Sequence, residues 1–366
     1  MFSYASECVS FCCSQWYHEL MDNYGLMKRE HGQWMTEGNP FYMPVFKEWL
    51  DGICAHENIT ACEPYAGSLS LIRHIRETMP TLESCIKWTA FDIQPNPEPV
   101  IDDVNIITAD TLLNIPEDYD LIITNPPYLA RNSATRRHLP FNDGGKPYDD
   151  LYQVALDTCL QHADHAALII PESFITSKFD KSRCSHVISL KAGLFNDTDC
   201  PVCLALFDDD VSMYGNDGRM TMIHDNTGRM IDSLSGLELK SMESLYSNGS
   251  DIGLTFNDPH GDVGLHAVDS GNTADIRFAR GMDSDISPDE IKISSRSLTR
   301  ISRKDGKPIT DAQIMMANHI LNSWRDETND VFMTSFKGAR KDGKYRRRLA
   351  FREAGMILRK AINENS

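Results

Sequence analysis

Residues 121 to 128 of the 366-residue chain read Leu-Ile-Ile-Thr-Asn-Pro-Pro-Tyr. The first four, apolar or β-branched, read as a buried strand. Pro126 and Pro127 have no N–H to give a ladder and must end it. The turn that follows presents the amide of Asn125, a carbonyl whose direction the Pro126 ring fixes, and the aromatic ring of Tyr128. Open α/β sheets bind their ligands at the carboxyl ends of strands, where this turn is expected to lie.

Three further stretches must position that turn. ITACEPYAGSLSLIRHIRE (59–77) predicts a short strand, a tight turn through Glu63-Pro64-Tyr65-Ala66-Gly67-Ser68, and a helix from about Leu69 with Leu71, Ile72 and Ile75 inward. Strand, glycine turn and helix N-terminus make a cofactor cradle, in which the turn lets backbone approach the ligand and Glu63 can pair with an ammonium group. CIKWTAFDIQP (85–95) predicts a second strand ending at Asp92, about 30 positions after the first loop and placed to bind both hydroxyls of a ribose. NIITADTLLNIP (105–116) predicts a third strand ending at Asp110.

With these partners, Asn125-Pro126-Pro127-Tyr128 resembles the catalytic motif of methyltransferases that act on planar nitrogens: adenine N6 in DNA, some RNA amines and glutamine amides. The Glu63 loop resembles that family's acidic-Pro-x-x-Gly-x-Gly loop, with Leu69 where a second glycine is usual. The resemblance covers about residues 28–210. Its order, cofactor loop before the Asn-Pro-Pro-Tyr turn and a further domain after, is similar to the gamma group of adenine-N6 DNA methyltransferases. It implies S-adenosyl-L-methionine as cofactor, held by Thr36, Glu63, Pro64, Tyr65, Gly67, Asp92, Ile93, Asp110, Thr111 and Asn125. Asp110 would accept from the cofactor's adenine amine, and Gly32, Gln33 and Thr36 would help to hold the methionine end. That last spacing also fits a loop entering a helix at 40–50. Phe195 matches an aromatic that packs on a flipped base opposite Tyr128. The chemistry explains the residue types. An exocyclic aromatic amine is a poor nucleophile, and the Asn125 oxygen and Pro126 carbonyl can accept both its N–H groups and draw it toward tetrahedral geometry. Tyr128 offers a face for a base pulled from its stack. Alignment and preorganised acceptors then carry the rate without a strong base.

Composition bounds the rest. Apolar residues make up 41% and charged residues 24% of the chain, as in soluble globular proteins. No run approaches the ~18 apolar residues of a membrane span. Met1 is not followed by a basic segment leading into a long apolar run, so a cytoplasmic location is expected. The ten cysteines are scattered, or at helical spacing at Cys8, Cys12 and Cys13. Cys200 and Cys203 have CxxC spacing without a second pair or nearby histidine, so reduced packing cysteines are expected rather than a metal site. The net charge of −17 opposes nucleic-acid binding, but residues 292–366 hold 17 basic and 8 acidic residues. The tail therefore has the sign that DNA requires.

The expected architecture is an α/β Rossmann-like, mostly parallel sheet over 28–210. An N-terminal helical segment over 1–27 precedes it, and a mixed α+β target-recognition domain over 211–366 follows. Residues 129–150 lack periodicity and predict a loop whose Arg131, Arg136, Arg137 and His138 could clamp phosphates. A helix is expected over 150–163. Residues 208–290 predict small strands, 311–327 a helix with Ile314, Ala317, Ile320, Leu321 and Trp324 inward, and 336–362 a basic loop running into a basic helix. Arg346, Arg347 and Arg348 are expected on phosphates there. About 60 residues before the cradle and some 155 after the closing strands favour double-stranded DNA over the alternatives, an RNA adenine or guanine amine and a protein glutamine. A methyltransferase-like binding subunit would be expected to have a damaged turn, and this one is whole. A cognate restriction endonuclease is a partner that such an enzyme can have, and the residues specify neither that pairing nor an oligomeric state.

Overall fold

The computed structural model describes residues 36–55, 58–94, 101–195, 200–209, 220–246, 252–292 and 294–364. The helical segment expected over 1–27, with its cysteines, and Gly32 and Gln33 lie outside these. The described residues fall into two compact units. The first holds residues 36–41, 47–170 and Phe195, and the second holds 42–46, 171–194 and those from 200 onward.

After helix α1 (Pro44–Ile53), the first unit is built on β1 (Ile59–Glu63), β2 (Ile86–Asp92), β3 (Asn105–Thr108), β4 (Tyr119–Thr124) and β5 (Ala163–Pro171). They run parallel in the order β3-β2-β1-β4-β5. The apolar runs dictate this. Leu121, Ile122 and Ile123 of β4 and Ala166 to Ile170 of β5 are buried without alternation, as strands covered on both faces must be. Full burial of a side chain such as Ile122 contributes about 1.5–3 kcal/mol. Helix α2 (Ser70–Thr78) follows β1 and buries Leu71, Ile72 and Ile75, as expected. Strand order reverses between β1 and β4, whose register pairs Ala61 with Leu121 and Cys62 with Ile122. Glu63 and Asn125 therefore leave the sheet at one edge, at the switch point where such sheets bind ligands.

Residues 129–150 are not wholly a loop. Helix α3 (Arg131–Arg137) forms within them, with only Ala134 buried. Its seven residues have one apolar member, so periodicity had nothing to report. Helix α4 (Leu151–Gln161) follows, and the Asp150 and Gln153 side chains form a capping box at its start.

The second unit carries β6 (Cys184–Ser189) and β7 (Val202–Asp208), antiparallel to each other, then β8 (Met222–His224) and β9 (Met230–Ser233) in the order β7-β6-β8-β9. Short helices α5 (Leu234–Leu239) and α6 (Met242–Tyr246) lead to β10 (Leu254–Phe256), β11 (Val263–His266), β12 (Arg277–Arg280) and β13 (Leu298–Arg303). These form an antiparallel sheet ordered β10-β13-β11-β12. Helix α7 (Asp311–Thr328) is capped by Thr310 and Gln313 and buries Ile314, Ala317, Ile320, Leu321 and Trp324, the face that the sequence predicts. It shares a core with Val263, Leu265, Phe278 and Ile301 of the sheet and with Ile357, Leu358 and Ala361 of the last helix, α8 (Phe351–Glu364). The stretch expected as a basic loop is a hairpin, β14 (Thr334–Ala339) and β15 (Tyr345–Arg348). Among the described residues no helix is long and apolar enough to cross a membrane.

Candidate active site

Glu63 ends β1 with 2% of its surface exposed, and its Oε2 has no hydrogen-bond partner. Burial pushes its carboxyl well above the usual range, Asp92 pushes it further, and Arg73 pulls it back. A buried carboxylate without a partner costs several kcal/mol, so this atom is suited to a cation that arrives with a ligand. Asp92 ends β2, and its two oxygens accept from Gly67 N and Gln94 N, both at 2.8 Å. The first bond draws the cradle loop over the end of β2, as does Ala66 N to Phe91 O at 2.8 Å. Gly67 takes φ 52°, and Leu69 takes φ 60° in the left-handed region. A β-carbon there costs of order 1–3 kcal/mol. The usual second glycine would carry no such cost, and here the buried Leu69 side chain offsets part of it.

Asp110 is exposed just after β3, and its Oδ1 accepts from Leu112 N at 3.1 Å. Ile93 stands 58% exposed beside Asp92, an apolar face suited to a flat ring. Pro64, Tyr65 and Thr111 are occupied with the fold itself. Thr111 Oγ1 donates to Pro64 O at 2.5 Å, and Tyr65 Oη donates to Thr111 O at 3.4 Å. Burial pushes the Tyr65 phenol well up, so it stays neutral. These bonds tie the exit of β3 to the cradle loop. The donor set fits S-adenosylmethionine: Glu63 would take the ammonium, Asp92 the ribose, and Ile93 with Asp110 the adenine.

Asn125 follows β4. Its Nδ2 donates to Thr36 Oγ1 at 3.0 Å, and its Oδ1 is in close contact with Tyr128 Oη. The same phenol donates to Ile169 O at 2.6 Å, so one proton lies between two acceptors. Pro126 is buried and Pro127 half-buried. Tyr128 and Phe195 are both buried and meet edge-to-face, 6.4 Å between centroids with planes at 81°. No base fits between two rings so arranged, and Phe195 is bridged through its backbone to Thr36. The two aromatics expected to flank a base lie against each other, a closed arrangement that a substrate must part.

The expected phosphate contacts divide. Arg131 is spent within its own segment. It donates to Tyr148 O at 2.6 Å, pairs with Asp143 and lies 4.3 Å over the Phe141 ring. Arg136 and Arg137 are exposed on the last turn of α3. In the second unit Arg347 is 8% exposed and forms a two-pronged ion pair with Glu172 at 2.6 and 3.1 Å. Its expected role on phosphate is corrected: the guanidinium faces a buried carboxylate. Arg346 Nε donates to Asp269 O at 2.8 Å, with its guanidinium 5.0 Å over Phe336, and Arg348 is half-buried with its Nε enclosed. Burial also encloses the Cys203 thiol in β7 and pushes it well up, which makes it unreactive packing.

Sequence reasoning missed Asp150. Its Oδ1 accepts from Leu129 N at 3.0 Å and Tyr152 N at 3.4 Å, anchoring the chain one residue past Tyr128. Asp150-x-x-Gln153 was the available signal. The Ile169 carbonyl carries no side-chain signal at all.

No protein-family model matches the chain, and no curated protein matches it in sequence. Among solved structures it is similar to a protein described as a class I S-adenosylmethionine-dependent methyltransferase from Listeria monocytogenes, with a TM-score of 0.37 and 11% identity over 52% of this chain and 68% of that one. It is also similar to a type I restriction-modification methyltransferase subunit from Streptococcus thermophilus, with a TM-score of 0.36 and 17% identity over 55% of this chain. The match spans about half of that subunit, 52%. A third, described as an RNA methyltransferase from Pyrococcus horikoshii, has a TM-score of 0.32 and 15% identity over 50% of this chain and 89% of the other. Likenesses this distant carry no functional argument. The chain's own residues must supply it.

Proposed function

We propose that this protein transfers a methyl group from S-adenosylmethionine to the N6 amine of an adenine turned out of double-stranded DNA. The observation that carries the reading is the placing of Asn125-Pro126-Pro127-Tyr128 at the carboxyl end of β4, beside the unpaired buried oxygen of Glu63 at the end of β1. When bound, the cofactor supplies an electrophilic methyl group. Everything else falls to the chain. Asn125 Oδ1 and the Pro126 carbonyl accept the two N–H bonds of the amine and fix its lone pair in direction. Tyr128 gives the purine a face once its ring parts from Phe195. As the amine reaches Oδ1, the Tyr128 proton settles on Ile169 O, and neither acceptor is left bare. Glu63 and Asp92 hold the cofactor's ammonium and ribose, and the tie between Thr111 and Pro64 keeps the cradle loop rigid. Arg136 and Arg137, exposed on α3 a few residues past Tyr128, supply phosphate contacts.

The test is incubation of purified protein with methyl-labelled S-adenosylmethionine and, separately, plasmid DNA, total RNA and protein extract. Label in DNA that maps to N6-methyladenine is the expected result. Label in RNA or protein alone overturns the DNA assignment, and label in none overturns the activity.

A further inference from the structure

We propose that Thr36 is a positioning residue for the Asn125 amide: its hydroxyl accepts from Nδ2 and so turns Oδ1 toward the place where the substrate amine must arrive. This rests on the proposed role of Asn125 as an acceptor for that amine. The two ends of a carboxamide are nearly the same size, and one donates while the other accepts. Packing therefore does not choose which end faces a substrate. Hydrogen bonds choose, and the wrong choice sets an NH₂ against an incoming NH₂.

Thr36 is well placed to decide. It lies 89 positions before Asn125 in sequence, is 5% exposed, and has its Oγ1 3.0 Å from Nδ2. Its backbone is bridged antiparallel to Phe195, so the hydroxyl sits on fixed chain beside the Tyr128–Phe195 pair. On the far side of the amide, Tyr128 Oη meets Oδ1 and also reaches Ile169 O at 2.6 Å. The two contacts therefore differ in kind. The Tyr128 bond can be surrendered, because its proton has a second acceptor, and it marks the end of the amide that a substrate takes over. The Thr36 bond holds the other end while that exchange happens. Resemblance alone would place Thr36 on the cofactor's methionine end, whereas in the structure its hydroxyl meets the amide that would accept the substrate.

Three variants and two readouts test this. Thr36→Val keeps the shape and removes the hydroxyl, Thr36→Ser keeps the hydroxyl, and Tyr128→Phe removes the other contact. The first readout is hydrogen exchange of the Asn125 side-chain amide in asparagine-labelled protein by NMR, with the signal assigned by its loss in Asn125→Ala. Protection should fall in Thr36→Val and persist in Thr36→Ser and Tyr128→Phe. The second readout is kinetic. Thr36→Val should lower kcat about tenfold, the equivalent of one modest hydrogen bond, while the Kd for S-adenosylmethionine stays within about twofold of wild type. Thr36→Ser should restore kcat. Protection lost in Tyr128→Phe but kept in Thr36→Val means that the amide faces the other way, and overturns the proposal. A fall in cofactor affinity that matches the fall in turnover in Thr36→Val makes Thr36 a cofactor ligand and also overturns it. The exchange arm needs no turnover. A wild-type protein that methylates nothing defeats the proposed function, and exchange alone then decides where the amide points.

Discussion

Two short runs of chemistry-bearing residues stand out in the sequence, Asn125 to Tyr128 in the first unit by their motif and Arg346 to Arg348 in the second by their charge. The structure treats them oppositely. Asn125 stands just past the last ladder residue of a strand, where the two prolines stop pairing and leave its amide free of secondary structure. The arginines lie inside β15, where side chains alternate between faces, and Tyr345 and Arg347 share the buried one. Residue type names a chemistry. Where the backbone ladder ends decides whether that chemistry faces a ligand or the protein's own interior.

Arg347 gives the sharpest way to break this contrast. Glu172 is buried, accepts from Ser189 Oγ at 2.9 Å, and depends on Arg347 for its ion pair. Removing one partner of a buried pair leaves the other charge uncompensated, which costs about 3–5 kcal/mol. Arg347→Ala is therefore expected to lower the urea midpoint sharply, and Glu172→Gln with Arg347→Met to recover much of it. A variant as stable as wild type, but with weakened DNA binding and a flatter salt dependence, would return Arg347 to the phosphate backbone.

The matching change in the first unit should leave the fold alone. Asn125→Ala is expected to reduce methyl transfer by ~10²–10³, the usual loss for one preorganised polar group. Thermal stability and cofactor affinity should stay near wild type. Substantial turnover by the folded variant would remove the amide from catalysis. A collapse of stability would place Asn125 in the same category as Arg347.

How far each region was legible depends on the same contrast. Strands β4 and β5 were readable because Leu121 to Ile123 and Ala166 to Ile170 are unbroken apolar runs with a proline at or just beyond the strand end. Helix α7 was readable because Ile314, Ala317, Leu321 and Trp324 recur at helical spacing. Glu63 and Asp92 were readable as strand ends for the reason Asn125 was: they stand where pairing stops. Helix α3 was not, since Arg-Asn-Ser-Ala-Thr-Arg-Arg buries only Ala134 and has no side-chain cap. Nor was the hairpin of Arg347, whose partner lies 175 positions away. Burial of a charge is set by the partner that meets it, and no local pattern records that. The closing of Tyr128 on Phe195 is a tertiary contact of the same sort.

Asp92 should separate binding from catalysis within the first unit. Its Oδ2 holds Gly67 N, so Asp92→Ala loses both the proposed ribose acceptor and the anchor of the cradle loop. An unpaired ligand group costs about 1–3 kcal/mol, and calorimetry should show S-adenosylmethionine weakened by that amount. Unchanged affinity would remove the carboxyl end of β2 from the site.

The smallest expected effect concerns what keeps the catalytic turn in place. Asp150 is partly buried where Leu129 N and the first turn of α4 converge on its carboxylate. Burial pushes its carboxyl up to about 6, while the backbone N–H bonds from Tyr152, Leu129 and Leu151 oppose the shift without cancelling it. An unfolded aspartate titrates near 3.9. Between those values the folded state binds the proton more tightly than the unfolded chain does, so this group's stabilising contribution is full below about pH 4. It is lost as pH rises through about 6. Over the accessible part of that window, the contribution at pH 5 should exceed that at pH 7 by about 1 kcal/mol. Other groups titrate too, so the measurement is a difference. Urea unfolding of wild type and Asp150→Asn at both pH values should show the wild type gaining about 1 kcal/mol more than the variant on going from pH 7 to pH 5. Asn still caps a helix and still accepts from Leu129 N, so the variant should remain folded at both. Parallel pH profiles would show that the bonds to the carboxylate outweigh its burial. The turn beyond Tyr128 would then be held by a charged carboxylate at pH 5 as well as at pH 7.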